Sequence, residues 1–474
     1  MKSLDRRQFL YGLGTFGFFS FVPTFAWARS QGTTTQKRVI VAGAGLSGLY
    51  AADLLVQRGF AVTVLEASNG AGGRVTGGLV NGQRYDFGGQ GFGQEMRRVR
   101  ALGQRFGLTP VHLPNQNGFF MNGSSLVVGS PYDKMDAEVT ALDTVAEPLY
   151  AFLNNPQQRA KLGQISVMQW ATSNLSPGTL DYFRTSFAAE WCASPDNVSL
   201  LHFVEVSYNY PGSGADEMAY RFREGIYTAA QKLASGLGTN LKLNAPLDQV
   251  TVSTTGLSVR AAGATLQADF LVLAMPLPQL SKIGISGLDT SNLQSALAAY
   301  EGAAVSKVVI SYSRQFWSGK ATDGGFATPS GLWIMDNSDT KAGLYSLIVF
   351  LGGPAASAAV GKSALLDMIA QALGPDARTP LDYKEQDYLG TTYQAGGYAS
   401  NRRPSSSGSA VLPTTLGKRI FLAGSESASE YPTYMEGALE AAERSVNAVI
   451  SAAARVASED GFHGRLRSWI TKST

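Results

Sequence analysis

The clearest pattern along the chain lies in "KRVIVAGAGLSGLYAADLLVQRGFAVTVLEAS". An apolar run from Val39 to Ala42 gives way to Gly43, Gly45 and Gly48, and Leu46, Leu49, Ala52 and Val56 then recur at helical spacing. A second β-branched run ends in Glu66, so the pattern predicts strand, helix, strand in one βαβ unit. From about Glu95 to Phe222 the spacing is mainly helical, with amphipathic stretches at 136–153 and 180–191. "TNLKLNAPLDQVTVSTTGLSVRAAGATLQADFLVLAMPLPQL" alternates in short β runs and ends in a buried-type strand from Phe270 to Ala274, stopped by Pro276 and Pro278. "KRIFLAGSE" predicts a third strand of the same kind, so a nucleotide-binding domain is visited three times with two insertions between. There is no internal repeat, and "RRPSSSGS" is the one low-complexity linker.

Two local patterns within this frame carry chemistry. In "AAVSKVVIS", a period of two places Val305, Lys307 and Val309 on one face and Ser306, Val308 and Ile310 on the other. A lysine so flanked is either an edge-strand guard or a functional amine. In "AGSESASEYPTYMEGALEAA", Thr433 and Glu436 have the T-x-x-E spacing of a capping box, with Ala438, Leu439, Ala442 and Val446 as the buried stripe of the helix that follows.

The G-x-G-x-x-G run gains weight from its context. Gly43 makes the tight turn, Gly45 lets backbone approach a pyrophosphate, and Gly48 lets helix pack on strand. The helix N-terminus then meets phosphate charge, and Glu66 is placed to accept from a ribose hydroxyl. An acid there disfavours a 2′-phosphate, so NADP fits less well. "ASNGAGGRV" and "YDFGGQGFG" follow, with backbone dense in glycine and Arg74 either on the surface or on a phosphate or flavin.

Composition narrows the classes. At 474 residues, lengths of this order usually divide into two or three domains. With 44% apolar and 16% charged residues the chain is globular, not disordered. A net charge of +3 gives no reason to expect a nucleic-acid partner. His112, His202 and His463 lie far apart with no second ligand at metal spacing, so no metal site is expected. Cys192 is the only cysteine, which excludes an intramolecular disulfide and reads as a small buried apolar side chain.

The N-terminus has the form of a cleavable export signal: a basic start, an apolar run from Phe9 to Phe25, and small residues at Ala26 and Ala28. Arg6 and Arg7 before Phe9 and Leu10 resemble the twin-arginine signal, although Asp5 stands where that pattern usually has Ser or Thr. The alternatives are an ordinary secretory signal or a membrane anchor, for which the run is short. Residues 1–28 hold three cations and one anion, so their removal takes the charge from +3 to +1. The expectation is a periplasmic protein with no membrane span after processing.

From Lys37 to Ala454 the chain resembles the flavin-containing amine oxidases of the monoamine and polyamine oxidase type. The resemblance rests on "VIVAGAGLSGL", "EASNGAGGR", "DFGGQGFG", "LDQV", "LVLAMPLPQL", "AVSKVVISYSRQFW", "GGYAS" and "FLAGSESASEYPTYMEGALEAAERS". It implies an α/β fold: a Rossmann-type FAD-binding domain assembled from three chain segments (37–93, 222–287 and 385–454), with a substrate domain of mixed sheet and helices (94–221 and 288–384) inserted between them. Residues 455–474 form a C-terminal tail to which it gives no role. It implies FAD held by Gly43, Gly45, Leu46, Ser47, Gly48, Glu66, Ala67, Gly73, Arg74, Gly89, Gln90, Val250, Gly424, Ser425, Glu426 and Met435. Ser425 and Glu426 approach the phosphate and ribitol region, and Met435 offers its N–H to the ring. Lys307 matches the lysine that holds a water next to flavin N5 and influences reoxidation, and Tyr398 and Tyr434 match the aromatic pair that sandwiches the substrate amine. Tyr388 and Tyr431 stand where relatives frequently have Trp. Gly397 stands where mitochondrial monoamine oxidases carry the cysteine that joins the flavin, which implies noncovalent FAD.

The implied reaction is hydride transfer from the amine α-carbon to flavin N5, giving an imine that hydrolyses, with electrons passed to oxygen or to a cytochrome or quinone carrier. An L-amino-acid oxidase is the alternative within enzymes and would need an arginine for the carboxylate. Arg97 and Arg98 are near candidates, though with Arg100 and Arg105 they read more simply as a solvated basic face. A noncatalytic flavoprotein module for binding or electron carriage is the alternative from another class, and Lys307 with the tyrosine pair weighs against it. The sequence leaves room for a homodimer. It assigns no roles to the side chains near Phe92, Trp333 and Tyr208 that would shape the substrate pocket.

Overall fold

A run of apolar residues needs cover on both faces, and Val39, Ile40, Val41 and Ala42 find it at the centre of a six-stranded sheet. The computed structural model describes residues 36–113, 121–122, 125–126, 148–210, 219–320, 324–328, 331–406, 408 and 410–472. The strand Arg38–Ala42 pairs in parallel with Ala61–Leu65 on one side and Phe270–Leu273 on the other. Leu241–Lys242 extends the sheet beyond Ala61–Leu65, and Ile420–Leu422 extends it beyond Phe270–Leu273, where Thr415–Leu416 closes the edge antiparallel. Three separate chain segments therefore build one sheet.

Alternation within these strands divides the packing. Val39, Val41, Val62, Val64, Phe270 and Val272 pack against the helices Leu46–Gln57, Tyr227–Leu237 and Met435–Lys472, through side chains such as Leu49, Leu233, Leu439 and Val446. Each such fully buried Leu or Val contributes roughly 1.5–3 kcal/mol. Ile40, Ala42, Leu271 and Leu273 face Val250, Leu257 and Val259 of a four-stranded sheet on the other side. The predicted stripe holds: Ala438, Leu439, Ala442 and Val446 are all buried.

A second, five-stranded antiparallel sheet runs in the order Phe326–Ala327, Leu332–Asp336, Tyr345–Gly352, Val305–Tyr312, Asp382–Asp387. Val305–Tyr312 is paired along both sides and buried throughout, so Lys307 does not guard an edge. Val308 and Ile310 pack towards the helix Lys362–Leu373, and Val309 towards Ile348 and Met335 on the opposite face. Asp382–Asp387 runs across residue 385, and the strand Gly397–Arg402 pairs with Tyr300–Ala303. Cys192 is fully buried.

The described residues from 36 onward form one compact unit, in which the layers share long pairings between distant segments. The helix Met435–Lys472 runs on through the stretch 455–472. Thr433 and Glu436 do not close a capping box. Glu436 instead accepts from the backbone N–H groups of Arg98 and Val99, at 3.0 and 2.9 Å, and so caps the neighbouring helix Arg97–Arg105. Arg98 is not a solvated cation either, because its guanidinium spans Glu430, Glu436 and Glu443 and clasps the two helices. The helical prediction for 136–147 and the export signal lie outside the described residues. Among the described residues no helix is long and apolar enough to cross a membrane.

Candidate functional site

A cavity of about 970 Å³ lies between the six-stranded and five-stranded sheets, at the top of the roughly 300–1,000 Å³ range of ligand pockets. Two helix starts border it. Gly45 precedes the helix Leu46–Gln57 with no side chain capping the first turn, and Leu46 and Ser47 line the wall beside it. Tyr434 and Met435 line the wall at the start of the C-terminal helix. Unpaired first-turn N–H groups make each helix start attractive to an anion or a carbonyl.

The glycine turn fits this role. Gly43 has φ +105°, and a Cβ on it would sit 2.3 Å from the Ala274 carbonyl oxygen. A Cβ on Gly48 would sit 1.9 Å from the Gly43 oxygen, so Gly48 serves packing and does not line the cavity. A Cβ on Gly45 would meet nothing within 4 Å, which leaves open space against the backbone for a ligand. Glu66 is buried, accepts from the Ala44 N–H at 2.7 Å and from Ser68 N–H and Oγ at 2.8 and 2.7 Å. A carboxylate has about four acceptor positions, so one remains for a ribose hydroxyl. Open backbone, the uncapped helix start at Gly45 and this acid together fit a flavin dinucleotide.

Lys307 lies at the opposite wall, 2% exposed. Its Nζ donates to the Gly88 carbonyl and to Gln90 Oε1, both at 2.9 Å, and the Gln90 amide is turned for this by donating to Asn337 Oδ1 at 2.9 Å. Two donations leave one position on the nitrogen for the cavity. Burial pulls the Lys307 pKa well below the ordinary lysine value; Asp86 partly restores it and Arg221 lowers it further. Across the sheet, Lys307 stands opposite Phe350, which stands opposite Trp333, so one register row carries cation and aromatic walls together. Phe350 is 5.3 Å from the Lys307 nitrogen.

Tyr398 and Tyr434 both line this cavity, and their rings are braced by different neighbours. Phe350 meets Tyr398 edge-on at 5.8 Å, and Tyr210 lies 5.2 Å from Tyr434. Tyr388 fills its position by bonding Thr76 through its hydroxyl, and Tyr431 packs edge-on against Tyr210. A Cβ on Gly397 would sit 2.0 Å from Val305 Cγ1, so the position has no room for a cysteine side chain.

Ala67, Gly73, Arg74, Gly89, Gln90, Gly424 and Ser425 border the cavity as expected. Three expected cofactor contacts do not: Gly48, which serves packing, and Val250 and Glu426. Val250 is buried in the core with Leu257 and Val259, and Leu247 and Asp248 of the same strand form the wall instead. Glu426 stands behind the wall, its side chain 1% exposed and paired with Arg74 at 2.8 Å. Of the aromatics left without roles, Trp333 lines the cavity, Phe92 is core stacked on Phe222, and Tyr208 is exposed. Sequence reasoning missed Trp191, Phe350 and Asn337. Only the pairing of distant strands and helices brings them in.

Comparison with known proteins agrees with this geometry. The family described as flavin containing amine oxidoreductase matches residues 46–450. An L-amino acid dehydrogenase of Synechocystis sp. is 26% identical over 450 residues, covering 87% of this chain and 94% of its own. A probable flavin-containing monoamine oxidase A of Dictyostelium discoideum is 25% identical over 443 residues, covering 86% and 96%. The solved structure of cyclohexylamine oxidase from Brevibacterium oxydans shares the fold, with a TM-score of 0.78 at 22% identity over 87% of this chain and 98% of that one.

The buried lysine has a consequence for stability. The unfolded chain keeps its Lys307 proton up to about pH 10.4, whereas the folded chain releases it at lower pH. The unfolded state therefore binds more protons in between, and stability rises with pH through that window. Lys307→Met should flatten that rise in urea melts taken from neutral pH to pH 10. An unchanged slope would count against a strongly desolvated ammonium.

Proposed function

The chain belongs to the flavin-containing amine oxidoreductases, which use FAD, and on that premise we propose that it oxidises the C–N bond of a small, largely apolar amine to an imine that hydrolyses to an aldehyde or ketone. Bound FAD supplies the two-electron acceptor. The protein supplies orientation and exclusion of water. Trp191, Trp333, Phe350, Tyr398 and Tyr434 wall the substrate space with aromatic faces, which hold an uncharged amine by its apolar body and orient its nitrogen. Lys307, with its lowered proton affinity, can hold a water or a proton on its one uncommitted position. Electrons then pass to oxygen or to a carrier.

The observation that carries this reading is the state of the cavity's arginine. Among the described residues, Arg74 is the only arginine of the wall, and Glu426, Ser425 and the Tyr398 carbonyl already occupy it. A bidentate clamp for an amino-acid carboxylate would have to displace them. Of the two earlier candidates, Arg98 is held by three glutamates and Arg97 is exposed and does not line the cavity. The second reading, an L-amino acid as substrate, has support in the 26% identity to the Synechocystis enzyme. The packing at Gly397 supports noncovalent FAD. The twin-arginine-like start supports export of the folded holoprotein to the periplasm.

Anaerobic mixing with a panel of amines and L-amino acids should bleach the flavin with amines; bleaching by amino acids alone would replace the first reading with the second. Acid precipitation of the same protein should release the yellow chromophore, and flavin retained in the pellet would contradict noncovalent binding. Changing Arg6 and Arg7 to lysine should leave the protein inside the cell on fractionation, whereas unaltered export would exclude the twin-arginine route.

A further inference from the structure

Tyr398 does not reach the cavity by ordinary strand alternation. In the antiparallel pair of Tyr300–Ala303 with Gly397–Arg402, Gly302 stands opposite Ser400 but the next residue, Ala303, stands opposite Gly397. Tyr398 and Ala399 are thus looped out as a bulge, a device that bends a strand and re-aims a side chain. Tyr398 takes φ +51°, in the left-handed region that a tyrosine seldom adopts. Such a conformation persists only where its surroundings determine it.

Two side chains close on this bulge. Arg74 Nη1 donates to the Tyr398 carbonyl at 2.9 Å and to Glu426 Oε1 at 2.8 Å, while Nη2 reaches Glu426 Oε2 at 3.3 Å and Ser425 Oγ at 3.4 Å. Glu426 Oε1 also accepts from the N–H and the Oγ of Ser400, each at 3.2 Å, and Oε2 accepts from Ser425 Oγ at 3.1 Å. The arginine thus holds the looped-out residue, and the glutamate holds the strand where pairing resumes. Burial raises the Glu426 pKa, but the Arg74 charge and these hydrogen bonds outweigh it and keep the carboxyl ionised.

We propose that the Arg74–Glu426 pair is a positioning device for Tyr398, fixing one wall of the amine pocket, and that Glu426 acts on the substrate through that wall and not on the cofactor. The inference rests on the amine-oxidising reading of the cavity. It reassigns a residue whose motif position suggests a flavin contact but whose carboxylate lies behind the wall.

The test uses the FAD-loaded enzyme and an amine that bleaches it. Glu426→Gln should keep full flavin content by absorbance and raise KM about tenfold, equivalent to ~1.4 kcal/mol, with kcat nearly unchanged. In a Tyr398→Ala background the same change should raise KM no further, because both act through one wall. Loss of flavin, an unchanged KM, or an equal rise in KM without Tyr398 would each overturn the proposal. If Glu426→Gln does not fold, Arg74→Lys decides. It keeps the charge opposite Glu426 but lacks the fork that also reaches the Tyr398 carbonyl, so it should raise KM with flavin retained. Flavin loss at unchanged KM would refute the inference there too. A wild-type flavin that no amine bleaches would be failure of the parent reading; normal bleaching with insensitive variants would be failure of this inference alone.

Discussion

One buried ammonium constrains the rest of the site. Lys307 sits mid-strand in the five-stranded sheet with its nitrogen satisfied by the Gly88 carbonyl and Gln90. Desolvating such a charge is costly unless it is neutralised or hydrogen-bonded. Both acceptors belong to the "DFGGQGFG" segment, which follows the nucleotide-binding unit in the chain. The same contacts that make Lys307 tolerable therefore dock the five-stranded sheet against this glycine-rich segment at the cavity. Asn337, itself fully buried, fixes the Gln90 amide so that its oxygen faces the lysine.

A second constraint is the meeting of two distant helix starts. The Gly43 turn lies near the start of the described residues and the Gly424–Met435 segment towards their end, yet both border one cavity. Phe270–Leu273 lies between Arg38–Ala42 and Ile420–Leu422 in the sheet and aligns them. Arg74 then ties the first region to the last through Glu426 and to the strand Gly397–Arg402 through the Tyr398 carbonyl. Three distant segments thus meet at one side chain.

What was legible in the sequence was what is locally determined. Gly43 is required by its φ of +105° and Gly48 by its closeness to the Gly43 oxygen within the same turn, so their spacing announces them. Lys307 interrupts a period-two apolar run, and the structure decides between its two readings by pairing the strand on both sides. The capping box failed for the complementary reason: Thr433 and Glu436 had the right spacing, but the Arg98 and Val99 N–H groups of another helix claim the carboxylate. Arg98 looked solvated until its three acidic partners came together around it. Phe350 and Trp333 join Lys307 only through strand register, which no single segment encodes.

On the proposed reading, the Lys307 amine is buried at this cavity to serve turnover of the bound flavin, beyond holding the five-stranded sheet to the Gly88–Gln90 segment. Stopped-flow mixing of amine-reduced, FAD-replete Lys307→Met enzyme with oxygen, or with the carrier that reoxidises the wild type, tests it directly. The variant should retain FAD and reoxidise markedly more slowly than the wild type. Reoxidation at the wild-type rate would contradict it and leave Lys307 a purely structural residue.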